Sequence, residues 1–269
     1  MTTYPFADRS NEHRRLIAQG SLFDPLTDRL FAQAGLAPGM QVLDLGSGAG
    51  NVTRLAADRV GRDGRVMGID ADPAAVELAT AATEQPNVEY RVGDVSTLDG
   101  LDGEVDAVVG RLVLMYLPDP ADALRRAARR IRPGGLICLH EGDLEYLPAG
   151  GPPTPLWTQV HHWFVEALQK AGVATRLGPD LFTTFRAAGL PAPHLVVEQY
   201  AEGGPGAPAW AWANVYSSAL PLMERFGLAT RAQLDPETLA DRLLAETLSV
   251  HGCVLGPPMT GAWCRLPLA

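Results

Sequence analysis

Three glycines, Gly46, Gly48 and Gly50, fall within five positions directly behind the run "VLDL", whose third residue is the acid Asp44. In a turn between strand and helix, glycines let backbone N–H groups approach a ligand closely because no Cβ intervenes, and the N-terminus of the following helix favours negative charge. The dinucleotide fingerprint needs Gly or Ala at the sixth place of such a turn, where this chain has Asn51. A P-loop would need Gly-Lys-Ser/Thr, and none follows. What remains open is a nucleotide cofactor of another kind, or a tight turn with no ligand. Two further acids bear on the choice. Asp70 closes "GID" about 20 residues beyond the glycines, where a carboxylate can accept both hydroxyls of a ribose. Asp94 closes "RVGD".

The turn "GSGAG" preceded by Asp44 resembles motif I of the class I S-adenosylmethionine-dependent methyltransferases. Asp70, Asp94 and the segment "RPGGLICLHE" follow in that superfamily's order, so the resemblance covers residues 42 to 141 strongly and the rest of the chain only in outline. It is to the small-molecule branch, the group of ubiquinone/menaquinone C-methyltransferases and many natural-product enzymes. The resemblance implies S-adenosylmethionine as cofactor, held by Asp44, Gly46, Ser47 and Gly48 at the turn and by Asp70 with Ala71 at the ribose. It further implies Asp94 against the adenine amino group, the Val95 N–H at a ring nitrogen and Arg111 near the methionine part. In related enzymes an N-terminal segment folds over the cofactor, which makes Gln19 a candidate donor to the methionine carboxylate, from a lid that also carries Tyr4 and Phe6. The fourth strand carries "GRLVLMYLPDP" where amino-directed enzymes often have Asn/Asp-Pro-Pro-Tyr, which counts against methylation of nucleic-acid or glutamine nitrogens.

Methyl transfer from a sulfonium is an in-line displacement, so holding the nucleophile near and aligned supplies much of the catalysis, up to roughly 7–11 kcal/mol in well-oriented systems. A base is needed only when the acceptor must lose a proton. Glu141 is the first candidate for that base or for an orienting group, with His140 and Asp143 beside it at the end of the fifth strand; the alternative for Glu141 is a polar strand-end residue paired with Arg. Arg111 stands midway in an apolar stretch, as a cofactor or substrate contact or as a buried structural ion pair. His161 and His162 are adjacent on a helix and point about 100° apart, which argues against a shared metal site. One of them could line a pocket, as could His251, and no metal is expected. Trp157, Trp163, Trp210, Trp212, Tyr216 and Phe226 suit an apolar or planar substrate, or packing between helices. The reading is methyl transfer to oxygen or carbon of a small, largely apolar metabolite. Superfamily members that keep the cofactor while catalysing a cyclisation or rearrangement supply a second reading, and a ligand-binding protein without turnover a third.

These residues need elements to position them. A helix over 25–34 is expected, with Asp24 as cap, Pro25 in the first turn and Gly35 at the exit. Then "QVLDL", "RVMGID", "VEYRVGD", "VDAVVGRLVL" and "GGLICLHE" read as strands, separated by "NVTRLAADRV", "PAAVELATAATE" and "DPADALRRAARRI" as helices. That alternation makes right-handed βαβ units: an α/β, doubly wound, mostly parallel seven-stranded sheet of Rossmann-like methyltransferase type, completed by "APHLVVEQYA" and "TGAWCRLPL". Helices are expected near 156–171 and 179–188. The expected division is an N-terminal helical lid over 1–38, the cofactor-binding domain over 39–200 and 259–269, and a helical cap insertion over 201–258, placed over the carboxyl ends of the strands where open α/β sheets bind ligands.

Composition sets the outer bounds. With 269 residues, 46% hydrophobic and 20% charged, the chain can form one large domain or a domain plus cap. A net charge of −9, with Lys170 the one lysine, argues against a nucleic-acid partner. Cys138, Cys253 and Cys264 stand in no metal-ligand spacing and read as small apolar residues in a reducing compartment. No signal-like N-terminus and no apolar run of about 18 residues is present, so a cytoplasmic protein without a membrane partner is expected, its cap able to support a homodimer.

Overall fold

The computed structural model describes residues 9–101, 103–152 and 154–268, with the side chains of residues 9–19 and 21 outside that description. The elements run α1 (Arg9–Ala34), β1 (Gln41–Leu45), α2 (Asn51–Val60), β2 (Arg65–Asp70), α3 (Pro73–Ala81), β3 (Val88–Val92), β4 (Val105–Arg111), α4 (Pro120–Ala128) and β5 (Ile131–Gly142). They continue as β6 (Ala149–Gly150), α5 (Pro155–Lys170), α6 (Leu177–Ala187), β7 (His194–Glu198), β8 (Ala201–Gly203), α7 (Ala209–Ser218), α8 (Leu220–Arg225), α9 (Arg231–Leu234), α10 (Leu239–Ser249), β9 (Cys253–Leu255) and β10 (Met259–Arg265). They fall into two compact units. One holds Phe23–Glu141, Leu177–Val197 and Thr260–Ala269; the other holds Gly142–Arg176, Glu198–Met259 and the α1 residues up to Leu22.

The first unit is a seven-stranded sheet in the order β3-β2-β1-β4-β5-β10-β7. β1 pairs parallel with both β2 and β4, β2 with β3 and β4 with β5. At the far side the Gly134 N–H donates to the Pro267 carbonyl and the Leu266 N–H to the Gly135 carbonyl, so β10 ascends as β5 descends and is antiparallel to it. The central strands are buried on both faces, which is why β1 and β4 read as apolar runs rather than as alternations. On one face Leu30, Phe31 and Ala34 of α1 pack with Val52, Ala56 and Val60 of α2 over Val42, Val66, Val109, Leu136 and Cys138 of the sheet.

That packing accounts for a departure from the expected elements. α1 does not begin at Pro25 but runs through it from Arg9. An interior proline costs a helix about 3 kcal/mol, whereas burying Leu26, Leu30 and Phe31 gains roughly 1.5–3 kcal/mol each. Packing wins, and Asp24 is released from capping for another task. β4 also stops earlier than its apolar run, at Arg111, because Leu112 takes a left-handed backbone (φ 51°) and a 3₁₀ turn follows over Leu114–Tyr116.

The second unit has its own core. The Trp157 indole N–H donates to the Leu243 carbonyl and the Thr247 hydroxyl, tying α5 to α10. Tyr216 of α7 sits among Trp157, His161, Phe164 and Trp212 at ring-centroid distances of 5.4–6.3 Å. A small antiparallel sheet, β6-β9-β8, completes the unit. Residues 142–176 belong here and not with the seven-stranded sheet.

Candidate functional site

In the first unit the strand order changes direction between β1 and β4, the switch point at whose carboxyl ends open α/β sheets bind ligands. The glycine turn leaves β1 at that point and delivers the chain into α2. Gly50 is its helix cap at φ 82°, and an added Cβ there would lie 2.3 Å from the Tyr90 hydroxyl. Gly46 at φ 66° is pressed by Val113, 2.5 Å from an added Cβ. Both positions therefore need glycine for conformation and for space.

Asp44 is fully buried at the end of β1. Its Oδ2 accepts from the Thr53 hydroxyl at 2.6 Å, while Oδ1 has no partner among the described residues. Burial pushes its carboxyl up to about 7 against the opposing pull of Thr53 and Arg111. The buried Ser47 hydroxyl is likewise without a partner among the described residues. At the end of β2, Asp70 accepts the Gly48 N–H on Oδ2 at 2.8 Å and the Asp72 N–H on Oδ1 at 2.9 Å. Its carboxyl is shifted upward by burial, with the backbone donors opposing. Ala71, next to it, is exposed. Past β3, Asp94 caps its own turn, accepting from the Ser96 hydroxyl and N–H, and those bonds hold its carboxyl below the usual range; Val95 is buried.

At the end of β4 the guanidinium of Arg111 donates to Asp24 Oδ1 at 2.9 Å and to the Thr27 hydroxyl at 2.8 Å, both on α1. The Thr27 oxygen lies 3.0 Å from His140 Nδ1 and also donates to the Phe23 carbonyl. Burial, and secondarily Arg111, pushes His140 down to about 3, so the ring is neutral. Arg111 thus makes the structural ion pair that was one of its two expected roles, and His140 is part of the same network.

Glu141 lies behind β4. Its Oε1 accepts the backbone N–H groups of Val113 and Leu114 at 3.0 and 2.9 Å; Oε2 is buried without a partner among the described residues. Burial pushes this carboxyl up to about 8 against those two donors. No arginine among the described residues pairs with it: it holds the turn that seats Val113 on Gly46. Asp143 falls in the second unit, where its carboxylate accepts the Glu145 N–H and its own N–H donates to the Pro258 carbonyl. His161 is buried with Nδ1 3.1 Å from the Tyr216 hydroxyl, and burial pushes it down to about 4. His162 is exposed beside Glu166, and His251 is exposed with φ 51°. Trp163 and Phe226 are half-buried and Trp210 is exposed. Tyr4, Phe6 and the Gln19 side chain lie outside the described residues.

Thr27 and Thr53 were not singled out from sequence, and Asp24 was read there only as a helix cap. Arg111 inside an apolar run signals that a buried cation must find an acid, and Asp24 answers it. The turn fits an S-adenosylmethionine molecule on three observations: a glycine cradle without Cβ atoms, two buried polar atoms without partners at Asp44 and Ser47, and the Asp70 carboxylate fixed one strand over.

Residues 43–139 match the family model described as "Methyltransferase domain". The chain is 31% identical over 190 residues to the nocamycin O-methyltransferase of Saccharothrix syringae, 70% of this chain and 62% of that one. It is 38% identical over 113 residues to the arsenite methyltransferase of Halobacterium salinarum, 41% of this chain and 29% of that one. The chain thus spans less than two thirds of the length of these curated relatives. A phosphoethanolamine N-methyltransferase of Haemonchus contortus, solved with phosphomonomethylethanolamine and S-adenosylhomocysteine, has the same fold at a TM-score of 0.56 and 15% identity, over 94% of this chain and 57% of that one. Residues 43–139 thus carry a methyltransferase domain, and the glycine turn, strand-end carboxylates and sheet order are those of the Rossmann-like methyltransferase fold.

Proposed function

We propose that the protein transfers the methyl group of S-adenosylmethionine to an oxygen or carbon of a small, largely apolar metabolite. The observation that carries this reading is the linked set at the switch point: Asp44 with a free buried oxygen, the glycine turn, and Asp70 bound to the Gly48 N–H. The bound cofactor supplies an electrophilic methyl on a sulfonium. Asp44 and Asp70 are suited to orient the amino acid and ribose parts, and the Arg111–Asp24–Thr27–His140 network fixes the end of β4 against α1. His140 is neutral but its Nδ1 is engaged by Thr27, and Glu141 is spent on backbone N–H groups; proximity and alignment, not proton removal by either, are left as the main device. Oxygen is favoured over carbon because a relative matched over 70% of this chain is an O-methyltransferase.

The test is incubation with S-adenosylmethionine labelled with ¹³C in the methyl group and a panel of hydroxylated aromatic compounds. The expected product gains one labelled CH₂ for each S-adenosylhomocysteine released. A product of unchanged mass, formed only with cofactor present, would overturn methyl transfer in favour of rearrangement.

A further inference from the structure

Tyr90 lies on β3, two strands away from the glycine turn that leaves β1, yet its hydroxyl occupies the place where a side chain at Gly50 would begin. A further glycine opens the route. Gly68 of β2 is the register partner of Tyr90 on one side and of Asp44 on the other. A Cβ at Gly68 would come within 2.8 Å of the Tyr90 ring, the Ser47 Cβ and the Thr53 hydroxyl. Glycine is thus required at 68 for space, and the Tyr90 ring crosses β2 there to reach the turn.

The Tyr90 hydroxyl lies 2.9 Å from the Thr83 oxygen and 3.5 Å from the Gly50 carbonyl oxygen. Thr83, just past α3, donates its one hydroxyl proton to the Ala79 carbonyl at 2.8 Å, so Tyr90 is the donor in the 2.9 Å contact. Arg54 joins from α2: Nη1 donates to the Ala49 carbonyl at 2.9 Å and to Thr83 at 3.3 Å, and Nη2 to the Asn51 side-chain oxygen at 2.9 Å. Asn51 thereby has a task at the sixth place of the turn. The carbonyls of Ala49 and Gly50 are held on the side of α3 and β3. Rotation of either peptide would turn a carbonyl oxygen toward the ligand, where the N-terminus of α2 is to present N–H groups. We propose that Tyr90, Thr83 and Arg54 are positioning residues for the cofactor, fixing the carbonyl side of the turn so that its other face is set for S-adenosylmethionine before binding. The proposal rests on the S-adenosylmethionine reading of that turn.

Isothermal titration of the full chain with S-adenosylmethionine, run beside thermal unfolding of the free protein, tests it. Thr83→Val keeps the side-chain shape and removes the hydroxyl, whereas Thr83→Ser keeps the hydroxyl and loses a methyl. Tyr90→Phe and Thr83→Val are each expected to weaken binding about fivefold, the size set by one neutral hydrogen bond, and together by less than the product of the two. Thr83→Ser is expected to bind as the wild type does. Wild-type affinity in Thr83→Val with weakened binding in Thr83→Ser would make the contact one of packing and overturn the proposal, as would variants that lose thermal stability at unchanged affinity. Equal affinities across the set, with the wild type binding, overturn the positioning role alone. A wild type that binds no S-adenosylmethionine overturns the cofactor site and the positioning role together.

Discussion

Glu141 and Asp44 share a condition: each is a fully buried carboxyl with one oxygen bonded and the other without a partner among the described residues. Their elevated proton affinities make stability depend on pH in a definite direction. The native state holds protons that the unfolded chain releases between the ordinary carboxylate range and about 7 to 8, so stability is greatest below that window and is lost as pH rises through it. Glu141→Gln keeps an acceptor for Val113 and Leu114 and removes the charge. It is expected to leave Tm unchanged at pH 5 and to raise it by roughly 5 °C at pH 9, read by thermal unfolding in the two buffers. Asp44 gives a second readout. If a cofactor cation binds beside a carboxyl that titrates near 7, binding at pH 7 must release part of a proton, and calorimetric binding enthalpies should change with the ionisation enthalpy of the buffer. A buffer-independent enthalpy would remove Asp44 from the cofactor's surroundings. Asp44 and Asp70 were legible in the sequence because each ends an apolar run. The bond from the Gly48 N–H to Asp70 and the left-handed Leu112 were not, since no residue type announces them.

At the scale of elements, the joint between α1 and β4 is the least expected feature. Sequence reasoning assigned Asp24 to cap a helix that in fact continues through Pro25, and the acid instead neutralises the buried Arg111. The error came from weighing local start signals above the packing of Leu26, Leu30 and Phe31, which only the assembled sheet supplies. Removing one partner of a buried pair leaves an uncompensated charge, costing about 3–5 kcal/mol in well-buried cases, and Asp24 is partly exposed, which places this pair lower. Arg111→Met and Asp24→Asn should each lower the denaturation midpoint, and the double variant should lose less than the sum; strict additivity would show that the pair carries no coupling. The strands of the main sheet were readable as apolar runs between capped helices. The two- and three-residue strands β6, β8 and β9 were not, because pieces so short carry no period and are held by pairing alone.

For the molecule as a whole, order and spacing along the first half carried the methyltransferase domain, and the second half gave up its helices and the two strands, His194–Glu198 and Met259–Arg265, that complete the main sheet. Residues 142–176 look from sequence like a continuation of the sheet domain, yet Trp157, His161 and Phe164 join Trp212 and Tyr216 in a separate aromatic core. An aromatic at helical spacing does not say which core it joins until its partners are known. The central claim is that S-adenosylmethionine is held at the switch point by the glycine turn and Asp70. Isothermal titration of the wild type and of Asp70→Ala with S-adenosylmethionine tests it most directly. The account predicts saturable one-to-one binding by the wild type and an affinity lower by about tenfold or more in the variant, roughly 1.4 kcal/mol. No binding by the wild type, or equal affinities, would contradict it.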